Sequence, residues 1–91
     1  MAEIVFERAH TIGLERARSV AQRLADEMRD EFRVDSGWEG DVLSFRRSGL
    51  SGVLQVFDDR IRLEAQLGFL LAAYRPRIEA RLVENFARYF G

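Results

Sequence analysis

The feature that most restricts the fold is a strict alternation of apolar and polar residues between positions 60 and 67. A period of two is typical of a β-strand with one buried face and one face in water. Slipping such a strand by one residue would turn every apolar side chain outward, so its register in a sheet is strongly specified. The segment therefore predicts a sheet that is covered on one side. Its apolar residues are Ile61, Leu63, Ala65 and Leu67, and Arg62, Glu64 and Gln66 lie between them.

Three further segments have strand patterns. Trp38–Phe45 and Val53–Phe57 precede the alternating strand, and the sequence RRSGLSG between them supplies a turn. The pair Asp58-Asp59 makes a tight reversal into the alternating strand. Short reversals of this kind make successive strands antiparallel neighbours. Near the N-terminus, Glu3–Arg8 has two apolar residues two positions apart, which predicts a strand at a sheet edge.

Two segments have the three-to-four-residue apolar period of an amphipathic helix. The first runs over residues 12–32, and Thr11 is its expected N-cap because a hydroxyl can accept a hydrogen bond from a first-turn amide. The second begins near Pro76, whose missing amide costs nothing in a first turn. The apolar run Phe69–Leu71 before it is expected to continue into the core. The apolar stripes are Leu14, Ala17, Ala21, Leu24, Met28 and Phe32 in the first helix, and Ile78, Leu82, Phe86 and Phe90 in the second.

These patterns predict an α+β fold with the element order β-α-β-β-β-α. One antiparallel sheet is expected, with both helices packed on one of its faces. At 91 residues the chain has the size of one domain, so residues 1–91 are assigned to a single domain.

Composition excludes several classes of site and partner. The chain has no cysteine, which rules out disulfides, thiol catalysis and thiolate metal sites. All 14 basic residues are arginine, but 15 acids are interleaved with them and the net charge is −1, which disfavours nucleic acid as a partner. The longest apolar run, Leu67–Tyr74, is far shorter than the about 20 residues of a membrane span. We therefore expect no membrane span, no signal peptide and a cytoplasmic location.

His10 is the chain's single histidine and its first candidate for chemistry. A general base or a metal ligand needs partners, and no second histidine exists to form a metal pair. The interpretation favoured here is a capping or packing role between the first strand and the first helix. The sequence accordingly predicts no catalytic, metal or cofactor-binding residues, and the protein is not expected to be an enzyme.

Five residues form a candidate interaction surface. The aromatic and acidic residues Trp38 and Asp41 could recognise a partner, or could simply begin a strand beside solvated charges. The polar face of the alternating strand is solvated in most sheets, but a partner would be able to cover it. The candidate surface comprises Trp38, Asp41, Arg62, Glu64 and Gln66.

Two alternative functions follow from the residues. The α-β-β-β-α order from residue 12 onward is that of double-stranded RNA-binding modules, and Arg75, Arg77 and Arg81 lie near the start of the last helix. Glu79 and Glu84 interrupt this arginine cluster. The other alternative is a small-ligand binding domain with a pocket between the sheet and the helices. A structure with Glu64 buried and His10 beside it would support this alternative.

An ordered set of motifs covers nearly the whole chain. His10 precedes Glu15-x-Ala17-Arg18, and further stretches follow at WEGDVLSF (38–45), GLSGVLQV (49–56), LEAQLGFLL (63–71) and Ile78-Glu79. In these features the chain resembles the polyhydroxyalkanoic acid system proteins, a small bacterial family.

The resemblance implies an association with storage-polyester metabolism in bacteria, and it implies no established reaction. Together with the open face of the expected sheet, it motivates the favoured hypothesis of a non-enzymatic accessory protein that contacts granule proteins or the granule surface. The resemblance carries over no catalytic or binding residues, and it leaves open whether the protein forms a homodimer. The chain lacks the long helical pattern of the phasins that coat such granules.

Overall fold

The computed structural model describes residues 2–90. Within that range the chain forms five strands and three helices. They are β1 (Ala2–Ala9), α1 (Leu14–Phe32), β2 (Asp35–Glu39), β3 (Val42–Arg47), β4 (Leu50–Val56), β5 (Arg60–Leu67), α2 (Phe69–Ala72) and α3 (Arg75–Phe90).

The strands form one antiparallel sheet in the order β1-β5-β4-β3-β2. Three hairpins join β2 to β5, while α1 carries the chain from one edge of the sheet to the other. Both long helices lie on the same face, with α1 over β4 and β2 and α3 over β1. The predicted α+β class, with one antiparallel sheet and helices on one face, is confirmed.

The segment expected to be one strand, Trp38–Phe45, is instead a hairpin. β2 ends at Glu39, the chain reverses at Gly40-Asp41, and β3 starts at Val42. Gly40 has a φ of 59°, a left-handed conformation that glycine adopts without the steric cost of a Cβ. The sheet therefore has one more strand than the sequence pattern predicts.

The starts of the two long helices test the local predictions for Pro76 and Thr11. Pro76 lies in the first turn of α3, as predicted. The prediction for Thr11 is wrong, because α1 begins after Gly13, which occupies the N-cap position without a side-chain hydrogen bond. The amide of Ile12 instead donates to Nδ1 of His10 at 3.4 Å, so residues 10–13 form a connecting loop and Thr11 lies before the first turn.

The expectation that the apolar run after β5 continues into the core is wrong for two of its three residues. Phe69 and Leu70 of α2 point into solvent, whereas Leu71 is half-buried against the core. Successive side chains on a helix point about 100° apart, so one short turn cannot bury three in a row.

The core lies between the sheet and the two long helices. Alternate residues of β5 are buried, as the period of two predicts. From α1 the buried side chains are mostly alanines, so this helix approaches the sheet closely. From α3 two phenylalanines are buried, and the ring of Phe86 stacks on that of Phe6 with 5.2 Å between centroids. The main core residues are Ile4, Ala17, Ala21, Leu24, Leu43, Leu54, Ile61, Leu63, Leu67, Phe86 and Phe90.

Candidate functional site

His10 is a buried structural residue at the end of β1. Only 6% of it is exposed, and its ring lies 5.6 Å from that of Phe90. Nε2 lies 2.9 Å from the carbonyl oxygen of Phe57, and Nδ1 faces the amide of Ile12. Because Nδ1 accepts and Nε2 donates, the imidazole is the Nε2–H tautomer with both nitrogens engaged by backbone. This arrangement agrees with the capping and packing interpretation of His10.

Trp38 lies on the helix-covered face of β2 and fastens this edge strand to α1. Its indole N–H donates to Oε1 of Gln22 at 2.6 Å. The guanidinium of Arg18 lies 4.7 Å from the ring centroid, within the range of a cation–π contact, and reaches Asp41 at 3.5 Å. Trp38 and Asp41 are therefore brought together, but by a structural tie to α1.

The other three candidate residues lie on the open face of the sheet. Arg62 donates to Glu64 at 2.8 and 3.1 Å and to Glu7 of β1 at 3.5 Å. The hydrogen bond to Glu64 is the main cause that raises the pKa of Arg62 above its ordinary value. Gln66 follows two residues later on the same face. Exposed pairs of this kind are screened by water and contribute little to stability, so this row gives polarity rather than stability.

The candidate surface is thus divided between two faces. Trp38 is opposite Leu43, and that row continues through Leu54 to Leu63 on the covered side. Arg62, Glu64 and Gln66 alternate with these buried positions and face away from the helices. Glu64 is exposed and His10 is buried under α3, so the structure does not form the His10–Glu64 pocket of the small-ligand alternative.

The arginines of the RNA-binding alternative are partly neutralised. Arg75 pairs with Glu79 at 3.0 Å, and Arg81 pairs with Glu31 of α1 at 3.2 Å. Phosphate recognition depends on basic side chains that are free to neutralise phosphates and so displace the counterions condensed on the nucleic acid. Two of the three arginines in the cluster already have acidic partners.

The most exposed apolar surface follows the end of β5. Phe69 is 87% exposed, Leu70 is 82% exposed and Tyr74, two residues after α2, is 51% exposed. We call these three residues the apolar tip. The sequence shows the apolar run Phe69–Leu71, but only the structure shows that Phe69 and Leu70 point outward.

The apolar tip is held firmly against the sheet. The amide of Gly68 donates to the carbonyl of Gly49 at 2.7 Å, which ties the start of α2 to the β3–β4 turn. A Cβ on Gly49 would lie 3.4 Å from Leu71, so this leucine packs directly on the turn. Leu71 therefore anchors the one-turn helix while Phe69 and Leu70 project from it.

The comparison with protein families decides the affiliation. The family model described as "Putative polyhydroxyalkanoic acid system protein" matches residues 4–90. The chain belongs to this family. The match takes in all of the secondary structure after the first residues of β1, including the apolar tip.

Other comparisons give no further relatives. No curated protein and no solved structure matches the chain. Within residues 2–90, no helix has the length and apolar character needed to cross a membrane. In the same part of the chain, no three His, Asp or Glu side chains are grouped so that they could hold a metal ion.

Proposed function

We propose that this protein is a non-enzymatic accessory protein of bacterial polyhydroxyalkanoate metabolism, which docks reversibly on the granule surface through its apolar tip. The family affiliation supports the link to the storage polyester. The proposal places the protein in the cytoplasm, where it exchanges between solution and granule.

The exposure of Phe69 and Leu70 carries the proposal. Single exposed apolar residues are common on soluble proteins, but contiguous ones often mark an interaction site. Here two large neighbouring side chains are each more than four-fifths exposed, and Tyr74 adds an aromatic ring with a polar end. A polyester surface offers apolar chains for Phe69 and Leu70 and ester carbonyls that the Tyr74 hydroxyl is able to reach.

The energy available from the tip fits reversible docking. Burying a leucine or phenylalanine side chain contributes about 1.5–3 kcal/mol, so the pair would contribute about 3–6 kcal/mol. This gross contribution corresponds to a dissociation constant no tighter than about 40 µM for one molecule. Each protein would leave and rebind readily, unlike a protein with a transmembrane anchor.

The polar side chains support a role without catalysis. Both ring nitrogens of His10 are bonded to backbone groups, and Arg62 and Glu64 bond each other in the open. Nucleophilic or acid–base catalysis needs such groups to converge on a shared substrate position. Contact with a surface needs no such convergence of polar groups.

Cosedimentation of the purified chain with protein-free amorphous polyhydroxyalkanoate particles tests the proposal. Replacing both tip residues, Phe69→Ser with Leu70→Ser, is expected to weaken binding at least tenfold, because the apolar area that the polymer would cover is lost. Both side chains are exposed, so the variant is expected to melt within a few degrees of the wild type by circular dichroism.

The matched control is Val5→Thr, which removes exposed apolar surface from β1 on the open face of the sheet. It is expected to bind as the wild type does. Equal binding by the tip variant and the wild type would contradict docking through the tip. Binding to native granules but not to bare polymer would overturn direct docking on the polymer and identify a granule protein as the partner.

A further inference from the structure

An apolar cavity of about 130 Å³ lies between the sheet and the two long helices. Its wall is formed by carbon atoms from every layer of the fold. Ala21 and Ala25 of α1, Leu54 and Leu63 of the sheet, and Leu82 and Phe86 of α3 are among the residues that line it.

The cavity follows from the side chains that the helices present. α1 places alanines against the sheet at four-residue intervals, so short side chains stand where longer ones would fill the space. α3 lies over β1, the edge strand at the far end of the sheet from β2. The seam between the helices is crossed on its outer side by a hydrogen bond from the Tyr89 hydroxyl to Glu27 at 2.6 Å and by the Arg81–Glu31 pair. These two contacts link α1 to α3, and none of their four residues lines the cavity.

An apolar cavity of this size suits a hydrocarbon guest. Water needs polar partners, which this wall does not offer, and a leucine-lined cavity of about 150 Å³ in another protein stays dry and binds benzene. By that comparison, the cavity here accommodates a chain of about five or six carbon atoms. Filling it restores dispersion contacts that the lining atoms lack.

Positive charge lies at one end of the cavity. Leu50 and Ile78 line that end. Leu50 is opposite Arg47 in the β3–β4 register. Arg81 follows Ile78 by three residues along α3. Nη1 of Arg47 donates to the carbonyl of Phe32 at 2.9 Å, and the Arg81 guanidinium lies 5.9 Å from the Phe32 ring. Two guanidinium groups therefore lie beside the same residue at the end of α1.

Arg47 is the better placed of the two for an anionic ligand. Within residues 2–90, no acidic side chain lies within ion-pair distance of Arg47. Its hydrogen-bond partner is a neutral backbone carbonyl. Arg81 shares its charge with Glu31. A planar guanidinium binds a carboxylate through two parallel hydrogen bonds, a geometry that lysine does not offer.

We propose that the cavity binds the hydrocarbon tail of a medium-chain monocarboxylate, whose carboxylate pairs with Arg47. The tail occupies the space between Ala25, Leu54 and Leu82. This binding site lies inside the fold and is separate from the apolar tip, so it stands or falls independently of granule docking.

Isothermal titration calorimetry with sodium octanoate tests the site, with butanoate and octanol as comparison ligands. Octanoate is expected to bind the wild type, and butanoate at least tenfold more weakly because its tail fills less of the cavity. Ala25→Leu fills the cavity from α1 and is expected to abolish octanoate binding without lowering the melting temperature. Ala80→Leu makes the same change on the exposed side of α3 and is expected to leave binding unchanged.

The role of Arg47 is tested by Arg47→Gln, with Arg16→Gln on the exposed side of α1 as its control. Arg47→Gln is expected to weaken octanoate binding at least fivefold and to leave octanol binding unchanged. If Ala25→Leu does not fold, octanoate-induced shifts of the Leu54 and Leu82 methyl resonances in the wild type decide the location. Undiminished octanoate binding by Ala25→Leu, or methyl shifts confined to other residues, would overturn the proposal.

Discussion

Gly52 in β4 is a residue whose missing side chain shapes the sheet. It is opposite Phe45 of β3 on one side and Ala65 of β5 on the other. A Cβ at this position would lie 2.6 Å from Cζ of Phe45 and 2.9 Å from the Cα of Ala65, and it would also overlap the carbonyl oxygen of Glu64. The ring of Phe45 therefore occupies the space that any other residue at position 52 would need.

Gly52→Ala is expected to destabilise the protein although alanine generally suits a strand at least as well as glycine. The aromatic ring could rotate away, but two of the three obstructing atoms belong to the backbone of β5 and cannot move without distorting the pairing. Overpacking of this kind costs about 1–3 kcal/mol. The loss is measured as a decrease in the free energy of unfolding in urea.

Gly37→Ala in β2 is the matched control, because no atom lies within 4 Å of the Cβ it would introduce and its φ is not left-handed. This change is expected to be neutral or slightly stabilising, since alanine restricts the unfolded chain. Equal destabilisation by the two substitutions would show that loss of glycine flexibility, and not overlap with Phe45 and the β5 backbone, is responsible.

β2 shows how far local patterns predict an element. The helices and β5 repeat their apolar residues over many positions, so their periods identify them from sequence alone. β2 consists of five residues that are mostly exposed, and nothing in DSGWE favours a strand by itself. It forms because β3 provides an edge to pair with and because Trp38 is held by α1, and both contacts are tertiary.

Gln22→Ala is expected to loosen β2 and leave the rest of the fold intact. It removes the acceptor for the indole N–H of Trp38, and a hydrogen bond of this kind contributes about 0.5–1.5 kcal/mol. Trp38 is the chain's single tryptophan, so its fluorescence reports on this contact directly. We expect a red-shifted emission and faster hydrogen exchange of the β2 amides.

Ser19→Ala, an exposed change on the same helix, is the control and is expected to leave both readouts unchanged. If Gln22→Ala gave an unchanged spectrum and unchanged exchange in β2, the edge strand would be held by its pairing with β3 alone. In that case the contact between Trp38 and Gln22 would carry no stabilisation.

The same limit applies to the candidate site. The affiliation could be predicted because ordered motifs run through nearly the whole chain, and the family match covers residues 4–90. Grouping Trp38 with Glu64 could not succeed, because an unrecognised hairpin changes which face each strand position occupies. The outward direction of Phe69 depends on how α2 docks on the β3–β4 turn, a contact between segments about 20 positions apart in the sequence.

The link between the helices predicts how the whole fold responds to alkaline pH. The hydrogen bond that Tyr89 donates to Glu27 is the main cause that raises the pKa of the Tyr89 hydroxyl above its ordinary value. A group whose pKa is raised by folding stabilises the folded state below its unfolded pKa, and this stabilisation is lost as pH rises through the folded pKa. Tyr89→Phe is therefore expected to be less stable than the wild type at pH 8, and the difference should shrink at pH values above about 10, where a free tyrosine ionises.

Chemical denaturation of both proteins at the two pH values measures the difference, and absorbance at the wavelength of the phenolate band follows the ionisation itself. Tyr74 is the chain's other tyrosine, so a Tyr74→Phe background leaves Tyr89 as the single signal. In that background Glu27→Gln is expected to return the Tyr89 pKa toward its ordinary value, since an amide oxygen is a weaker acceptor and carries no charge. A Tyr89 titration that Glu27→Gln left unchanged would contradict the link, because the carboxylate of α1 would then have no influence on the phenol of α3.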